Sequence, residues 1–331
     1  MTAEENSSRG ARGDVKAAAF VRAYLTTMRP YLLPVSGLAG AAGISLAGAQ
    51  GAWRTAAAML PFYLLYGFGQ ALTDCFQQDT DRLSAPYRPL VAGRISRRAV
   101  LAVSLAGLLG GAAVLAILNP WDLLLSLAGI VGLAVYTPLK RMWWAGPLAN
   151  AWVVALLPIM GWLTAPDGTP LELASHPAVL AAALANLLAY ANFVLVGYLK
   201  DVGADRQSGY RTFPVRFGWK RTALCSHAWA LAALGAAAWA VLLAGGTGGQ
   251  SLIGWVPLAL AAGVSVAAQA RAQGVDSEDK AHGPIAGTVR VFLLINAAIV
   301  MAARPAWWPI AAGTCAAFEA LLRMRPDRHQ I

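Results

Sequence analysis

A chain of 331 residues with 58% hydrophobic and 13% charged side chains, and a mean hydropathy of +0.54, carries about half the charge of a soluble domain. This composition excludes an ordinary soluble enzyme and predicts a polytopic membrane protein whose first partner is the lipid bilayer. The net charge of +10 sits in short loops between apolar runs, which argues against a nucleic-acid partner.

Residues 1–28 are expected to be a disordered or interfacial segment. Positions 1–15 are polar and mixed in charge with no apolar h-region, so no cleavable signal peptide is expected. A transmembrane catalytic domain is expected over residues 29–323, and a cytoplasmic tail over 324–331. Apolar runs long enough to span about 30 Å of hydrocarbon occur at 32–50, 55–73, 99–118, 121–137, 146–165, 177–199, 222–244, 252–270, 287–303 and 305–322. The fold class is therefore all-α, a membrane bundle of nine to ten transmembrane helices around a central cavity. The tenth run follows the ninth with only Arg304 between them and starts at Pro305. With a cytoplasmic amino terminus, all of the 26 Lys and Arg residues except Arg54 and Arg304 fall on one side. The positive-inside rule then places both termini and the loops after even-numbered spans in the cytoplasm.

The second run leads into TDCFQQDTD, residues 73–81, and the sixth into YLKDVGADRQSGYRTFPVRFG, residues 198–218. Each acidic stretch ends a long apolar run and enters a basic loop containing proline, and four spans separate them, so both face the same side. That pattern suggests two pseudo-repeated four-helix halves closing over one site. Ionisable groups at the edge of a bilayer are costly and mark functional sites by default.

On a continuous helix at about 100° per residue, Asp201 and Asp205 share a face one turn apart, and Asp74 and Asp81 differ by only about 20°. Asp79 points away from Asp81 and is assigned to a solvated face. Carboxylate oxygens with Gln77 between them suit a hard ion, and Mg²⁺ characteristically combines one or two carboxylates with water and phosphate oxygens. Acids ringed by arginine and lysine therefore read as a Mg²⁺-bridged diphosphate site, with Asp74, Gln77, Asp81, Asp201 and Asp205 as metal ligands. The bland alternative is a salt-bridge network at the membrane surface.

The two motifs resemble those of the UbiA superfamily of intramembrane prenyltransferases, NxxxDxxxD followed by a loop ending in RP, and DxxxD leading into GxxTxPVxxG. Thr73, Gln77 and Asp81 fall on the first motif and Arg88 and Pro89 on its loop. Asp201 and Asp205 fall on the second, with Gly209, Thr212, Pro214, Val215 and Gly218 on its tail. Arg29 and Pro30, YTPLKR at 136–141 and Asn150 extend the likeness, which runs from Arg29 to the ninth span. The resemblance implies an all-helical bundle, usually of nine spans, with a cavity opening sideways to lipid, and Mg²⁺-assisted ionisation of an isoprenyl diphosphate. The departure is that Thr73 and Gln77 stand where the family has Asn and Asp, which weakens two metal contacts that Asp74 could restore.

By resemblance and position, Asp81, Asp201, Asp205 and Tyr136 form the catalytic set, with Lys140, Arg141 and Lys200, then Arg88 and Arg29, on the diphosphate oxygens. An allylic cation would need electron-rich faces, for which Phe68, Phe76, Tyr136, Tyr190, Phe193 and Tyr198 are suitably spaced, Tyr136 first among them. The leading functional reading is prenyl transfer to an aromatic or lipid-like acceptor. A UbiA-type terpene cyclase, in which the chain's own double bonds capture the cation, is the alternative, raised by the altered first motif. A transporter or non-catalytic membrane protein is the third. Cys75, Cys225 and Cys315 form no CxxC pair and read as packing residues, as does His227. GGTGGQ at 245–250 reads as a loop, and Glu319 as an i, i+4 partner of Arg323.

Overall fold

A computed structural model describes residues 17–245 and 252–325; most of the GGTGGQ stretch and the last six residues of the tail lie outside the described residues. Those described are helical or irregular, with no strand among them. The described residues open with α1 (residues 17–28), α2 (Leu33–Leu46), α3 (Ala52–Asp74) and the short α4 (Gln78–Ser84). They continue through α5 (Arg97–Leu118), α6 (Trp121–Lys140), α7 (Ala145–Leu163), α8 (Pro177–Gly197) and the short α9 (Val202–Gln207). The last four are α10 (Phe213–Ala244), α11 (Leu252–Gln273), α12 (His282–Ala303) and α13 (Trp308–Arg323).

Ten of these helices coincide with the ten apolar runs, and seven are long and apolar enough to cross a membrane. The segment Pro30–Leu46 is apolar but shorter, and α3 carries Arg54 in its first turn and ends on Asp74. The protein is an integral, multi-pass helical membrane protein. In α1, Tyr24 and Met28 are buried against Ala71 of α3 and Cys75 just after it, and the Tyr24 hydroxyl lies 2.9 Å from Ser104 Oγ on α5.

Local sequence explains where the helices start and bend. Ser96 caps α5 by accepting from the Ala99 amide, and prolines occupy the first turn of α2, α8, α10 and α13, where a missing N–H costs nothing. Gly218 takes φ 78° inside α10 and kinks it, a conformation that an L side chain enters only at a cost.

The core is formed by α2, α7, α8, α10 and α12. Burial reaches 78% along Glu278–Ala303 but only 28% along α5 and α6, whose apolar side chains face outward. Polar pairs tie the buried helices together, as is common where lipid offers no alternative. Asn186 on α8 and Asn296 on α12 exchange reciprocal amide hydrogen bonds of 2.9 and 3.1 Å. The Ser226 hydroxyl on α10 lies 2.7 Å from Asn192 Oδ1 and 2.9 Å from Gln269 Oε1. The hydrogen-bonded partner of Glu319 is Arg290 of α12, which donates at 2.6 and 3.0 Å because α13 packs alongside that helix, while Arg323 adds a favourable charge from the next turn. The two basic residues at the end of the bundle opposite the acidic motifs act on backbone. Arg54 donates to the carbonyls of Thr164 and Leu118, and Arg304 to that of Ser45.

Helices α2 and α7 approach each other at backbone distance. A Cβ at Gly161 would overlap the Gly40 carbonyl oxygen and the Ile44 nitrogen, and one at Gly43 would overlap the Pro158 carbonyl. This small-residue seam allows backbone contact. Gly161→Ala is expected to lower stability by about 1–3 kcal/mol through overpacking, seen as a lower melting temperature in detergent. Gly235→Ala, where a Cβ meets nothing within 4 Å, is the control and should not lower it.

Candidate active site

Both acidic motifs come to one end of the bundle, where α4 packs on α9. The helices are not continuous through the motifs. α3 ends at Asp74 and α4 begins at Gln78 after a break in which Gln77 has φ −111° and ψ 19°. A 3₁₀ turn, Tyr198–Asp201, ends at Asp201 with φ −117° and ψ 15° before α9 starts. The breaks, not a single helical wheel, set where the acids point.

A cavity of about 760 Å³ is walled by Asp74, Gln77, Asp81 and Asp201 together with Arg29, Arg88, Lys140 and Lys200. Arg29 reaches it from the turn between α1 and α2, where it holds φ 52°. That left-handed conformation is strained for a non-glycine residue, and the guanidinium donates to both Asp74 carboxylate oxygens at 2.9 and 3.1 Å. Arg88 bridges the two acids of the first motif, paired with Asp81 at 2.5 Å and 3.8 Å from Asp74. Burial pushes the Asp81 carboxyl above its usual range, against the pull of Arg88.

Asp205 is not on the cavity wall. It is completely buried behind Lys140, whose Nζ lies 3.2 Å from Asp205 Oδ1, and accepts a 3.1 Å hydrogen bond from the Thr212 hydroxyl. The helix break after Asp201 is why the two do not share a face as expected. Arg141 also stays outside: its side chain is 55% exposed and its Nη2 lies 3.3 Å from Asp79. Among the aromatic candidates, Tyr136, Tyr190, Phe193 and Tyr198 line the cavity. Phe68 and Phe76 pack instead against the α1–α3 cluster. The Tyr136 and Tyr198 hydroxyls are 3.0 Å apart, and the Lys140 ammonium lies 5.4 Å from the Tyr198 ring centroid.

Gln70 and Tyr210, neither singled out in the sequence, organise this end. Gln70, one turn before Asp74 on α3, donates to Asp74 Oδ1 at 2.8 Å; a glutamine inside an apolar run was the available signal. Asp79 is only partly solvated and accepts hydrogen bonds from the Tyr210 hydroxyl at 3.1 and 3.2 Å. The Tyr210 ring is flanked by Lys140 Nζ at 5.3 Å and Arg141 Cζ at 4.9 Å, and its amide donates to the Asp205 carbonyl at 2.7 Å. This contact ties α4 to the tail of the second motif. Tyr210→Phe, which removes a hydrogen bond to a charged group, is expected to cost about 1.5–3 kcal/mol, measured as a drop in melting temperature that Asp79→Asn should share.

The polar cavity continues inward. Tyr66, Gln70, Thr73, Asn150 and Tyr190 are common to it and to a second, apolar chamber of about 740 Å³ that runs between α3, α6 and α7 to Met160 and Ser126. A third space of about 800 Å³ abuts the polar cavity at Arg88, Lys200 and Asp201. A charged pocket with an apolar shaft beneath it matches an amphipathic ligand with an anionic head and a hydrocarbon tail.

The model of the UbiA prenyltransferase family matches residues 33–283. The chain belongs to that family. Digeranylgeranylglyceryl phosphate synthase of Thermococcus kodakarensis is 27% identical over 212 residues, 61% of this chain and 71% of that protein. The chloroplastic chlorophyll synthase of Arabidopsis thaliana is 30% identical over 165 residues, 46% of this chain and 41% of that protein. A UbiA homolog from Aeropyrum pernix superposes with a TM-score of 0.68 at 26% identity, covering 81% of this chain and 96% of that one. The Archaeoglobus fulgidus homolog solved with DMAPP and Mg²⁺ shares the fold, with a TM-score of 0.62 at 20% identity over 84% of this chain and 98% of that one.

Proposed function

We propose that the protein ionises an isoprenyl diphosphate in a Mg²⁺-dependent reaction and transfers the prenyl group to an acceptor, most simply a lipid-like alcohol or an aromatic ring. The observation that carries this reading is the continuity of the acid- and base-lined cavity with the apolar chamber, which fits a diphosphate head and a prenyl tail at once. The relatives named above support it, one being named as the synthase of a digeranylgeranyl glyceryl phosphate and the other as a chlorophyll synthase.

The donor set fits magnesium as a paired site completed by substrate phosphate. Among the described residues no three His, Cys, Asp or Glu side chains form a metal cage, but Mg²⁺ needs only one or two carboxylates when phosphate and water supply the rest. Asp74, Gln77 and Asp81 would hold one ion and Asp201 another. Magnesium when bound supplies Lewis-acid stabilisation of the departing diphosphate. The protein's own part is electrostatic. Lys140, Lys200, Arg88 and Arg29 present cations to the oxygens on which charge develops, in a site largely shielded from water. Asp205 holds the Lys140 ammonium in place. Tyr136, Tyr190 and Tyr198 offer ring faces to the allylic cation, and the chamber keeps water from it. We place the acidic end and both termini in the cytoplasm, in accord with the distribution of basic residues.

The experiment is product analysis. Membranes containing the protein are incubated with Mg²⁺ and geranyl, farnesyl or geranylgeranyl diphosphate, with and without phenolic or glycerol-phosphate lipid acceptors. Turnover that requires an acceptor supports prenyl transfer; a cyclic hydrocarbon formed without one makes the protein a cyclase. No diphosphate release under any condition overturns both.

A further inference from the structure

We propose that the deep end of the apolar chamber is a polar subsite, built from Asp122 and Ser126, that takes an O–H donor at the far end of the prenyl chain. It rests on the chamber being the prenyl site of the preceding subsection. Ser126 of α6 lines the chamber, and its buried hydroxyl has no hydrogen-bond partner. Asp122 lies one turn further along α6 and about 40° round the same face. It is completely buried, and neither carboxylate oxygen has a partner. The other buried carboxylates among the described residues are each paired with a cation: Asp74 with Arg29, Asp81 with Arg88 and Asp205 with Lys140.

An unpaired acid buried inside a membrane protein is the kind of group that marks a ligand site. The helix dipole favours Asp122 in the first turn of α6, but it partners neither oxygen and leaves Ser126 unexplained. Nearby donors are engaged elsewhere: Arg54 on the Thr164 and Leu118 carbonyls, and the Asn119 amide on those of Leu163 and Gly168. The same face of α6 carries Tyr136 and Lys140 at the diphosphate end, so one helix presents the site for the head and the subsite for the tail.

Tyr136 and Ser126 are separated by about 15 Å of helix rise. With carbon–carbon bonds near 1.5 Å, each five-carbon repeat of a prenyl chain spans about 5 Å, so roughly three repeats fit between them. The O–H group has two possible sources, a hydroxyl on the distal end of an oxygenated prenyl chain, or a water retained behind a chain too short to reach the end.

The test uses the full chain in detergent and two variants outside the catalytic cavity, Asp122→Leu and Ser126→Ala. Geranyl, farnesyl and geranylgeranyl diphosphates, and farnesyl diphosphate hydroxylated at its far end, are ranked by stabilisation of the melting temperature without Mg²⁺, and by turnover with it. A wild-type preference for the hydroxylated chain on the order of tenfold or more, lost in both variants, identifies the chain as the donor. A wild-type optimum that moves to the next longer plain chain in both variants identifies water. An order of preference unchanged in both variants overturns the subsite. A variant-dependent order of binding with no turnover leaves the subsite standing and overturns the proposed reaction, whereas failure of every chain to bind overturns both.

Discussion

Asp201→Ala is expected to lower diphosphate release by about a thousandfold, corresponding to about 4 kcal/mol of transition-state stabilisation at 1.36 kcal/mol per tenfold. Asp201 has this weight because it lines both the polar cavity and the space outside it, between Arg88 and Lys200. Removing it takes away an oxygen donor and leaves two half-buried cations with less negative charge between them. Increasing Mg²⁺ should not restore the rate, because the lost group is a ligand and not merely a source of negative potential. Asp276→Ala is the matched control: that residue is exposed and pairs with Lys280 at 2.8 Å, four residues along the chain. Surface pairs of this type contribute at most about 1 kcal/mol, so its turnover should equal that of the wild type. Equal turnover in Asp201→Ala would remove the residue from the site.

Lys140→Met is expected to cost both stability and turnover, through different partners. The side chain is 5% exposed and its ammonium compensates Asp205, whose side chain is 0% exposed. Breaking one side of such a pair strands the other charge, a loss of about 3–5 kcal/mol, visible as a large fall in melting temperature. The double variant Lys140→Met, Asp205→Asn removes the stranded charge and should recover most of that stability. Its turnover should stay low, because the cation facing the diphosphate is still missing. A double variant that recovers both would make Lys140 a structural counter-ion only. One that recovers neither would mean that the ammonium is held chiefly by the Tyr198 and Tyr210 rings on either side.

The apolar runs were legible because hydropathy is a property of short segments, and each of the ten found its helix. The boundary that failed most was that of α10, which starts at Phe213 instead of 222: Arg216, Lys220 and Arg221 hide the first turns from a hydropathy reading, and Pro214 starts them. The acidic residues could also be singled out, since charge beside a membrane is rare enough to stand out. Their orientation could not. The wheel placing Asp201 beside Asp205 assumed an unbroken helix, whereas the backbone turns at Asp201 and sends Asp205 to Lys140. The partnership of Asp79 and Arg141 with Tyr210 was illegible for a related reason: it spans 131 and 69 positions of sequence and exists only once α4, α6 and the second-motif tail have met. Asp122 went unremarked because a single acid at the start of an apolar run resembles an ordinary helix amino terminus until its lack of a partner is seen.

The glycine seam between α2 and α7 bears on how the protein is made. Pro30–Leu46, at 17 residues, extends about 25 Å as a helix, less than the roughly 30 Å of hydrocarbon that an independent span must cross. Such a segment gains little by entering the bilayer alone, and its depth is fixed by backbone contact with a helix synthesised more than a hundred residues later. Insertion and tertiary packing are therefore coupled for this part of the chain: α7, once made, supplies the backbone contact that fixes the depth of the first apolar segment.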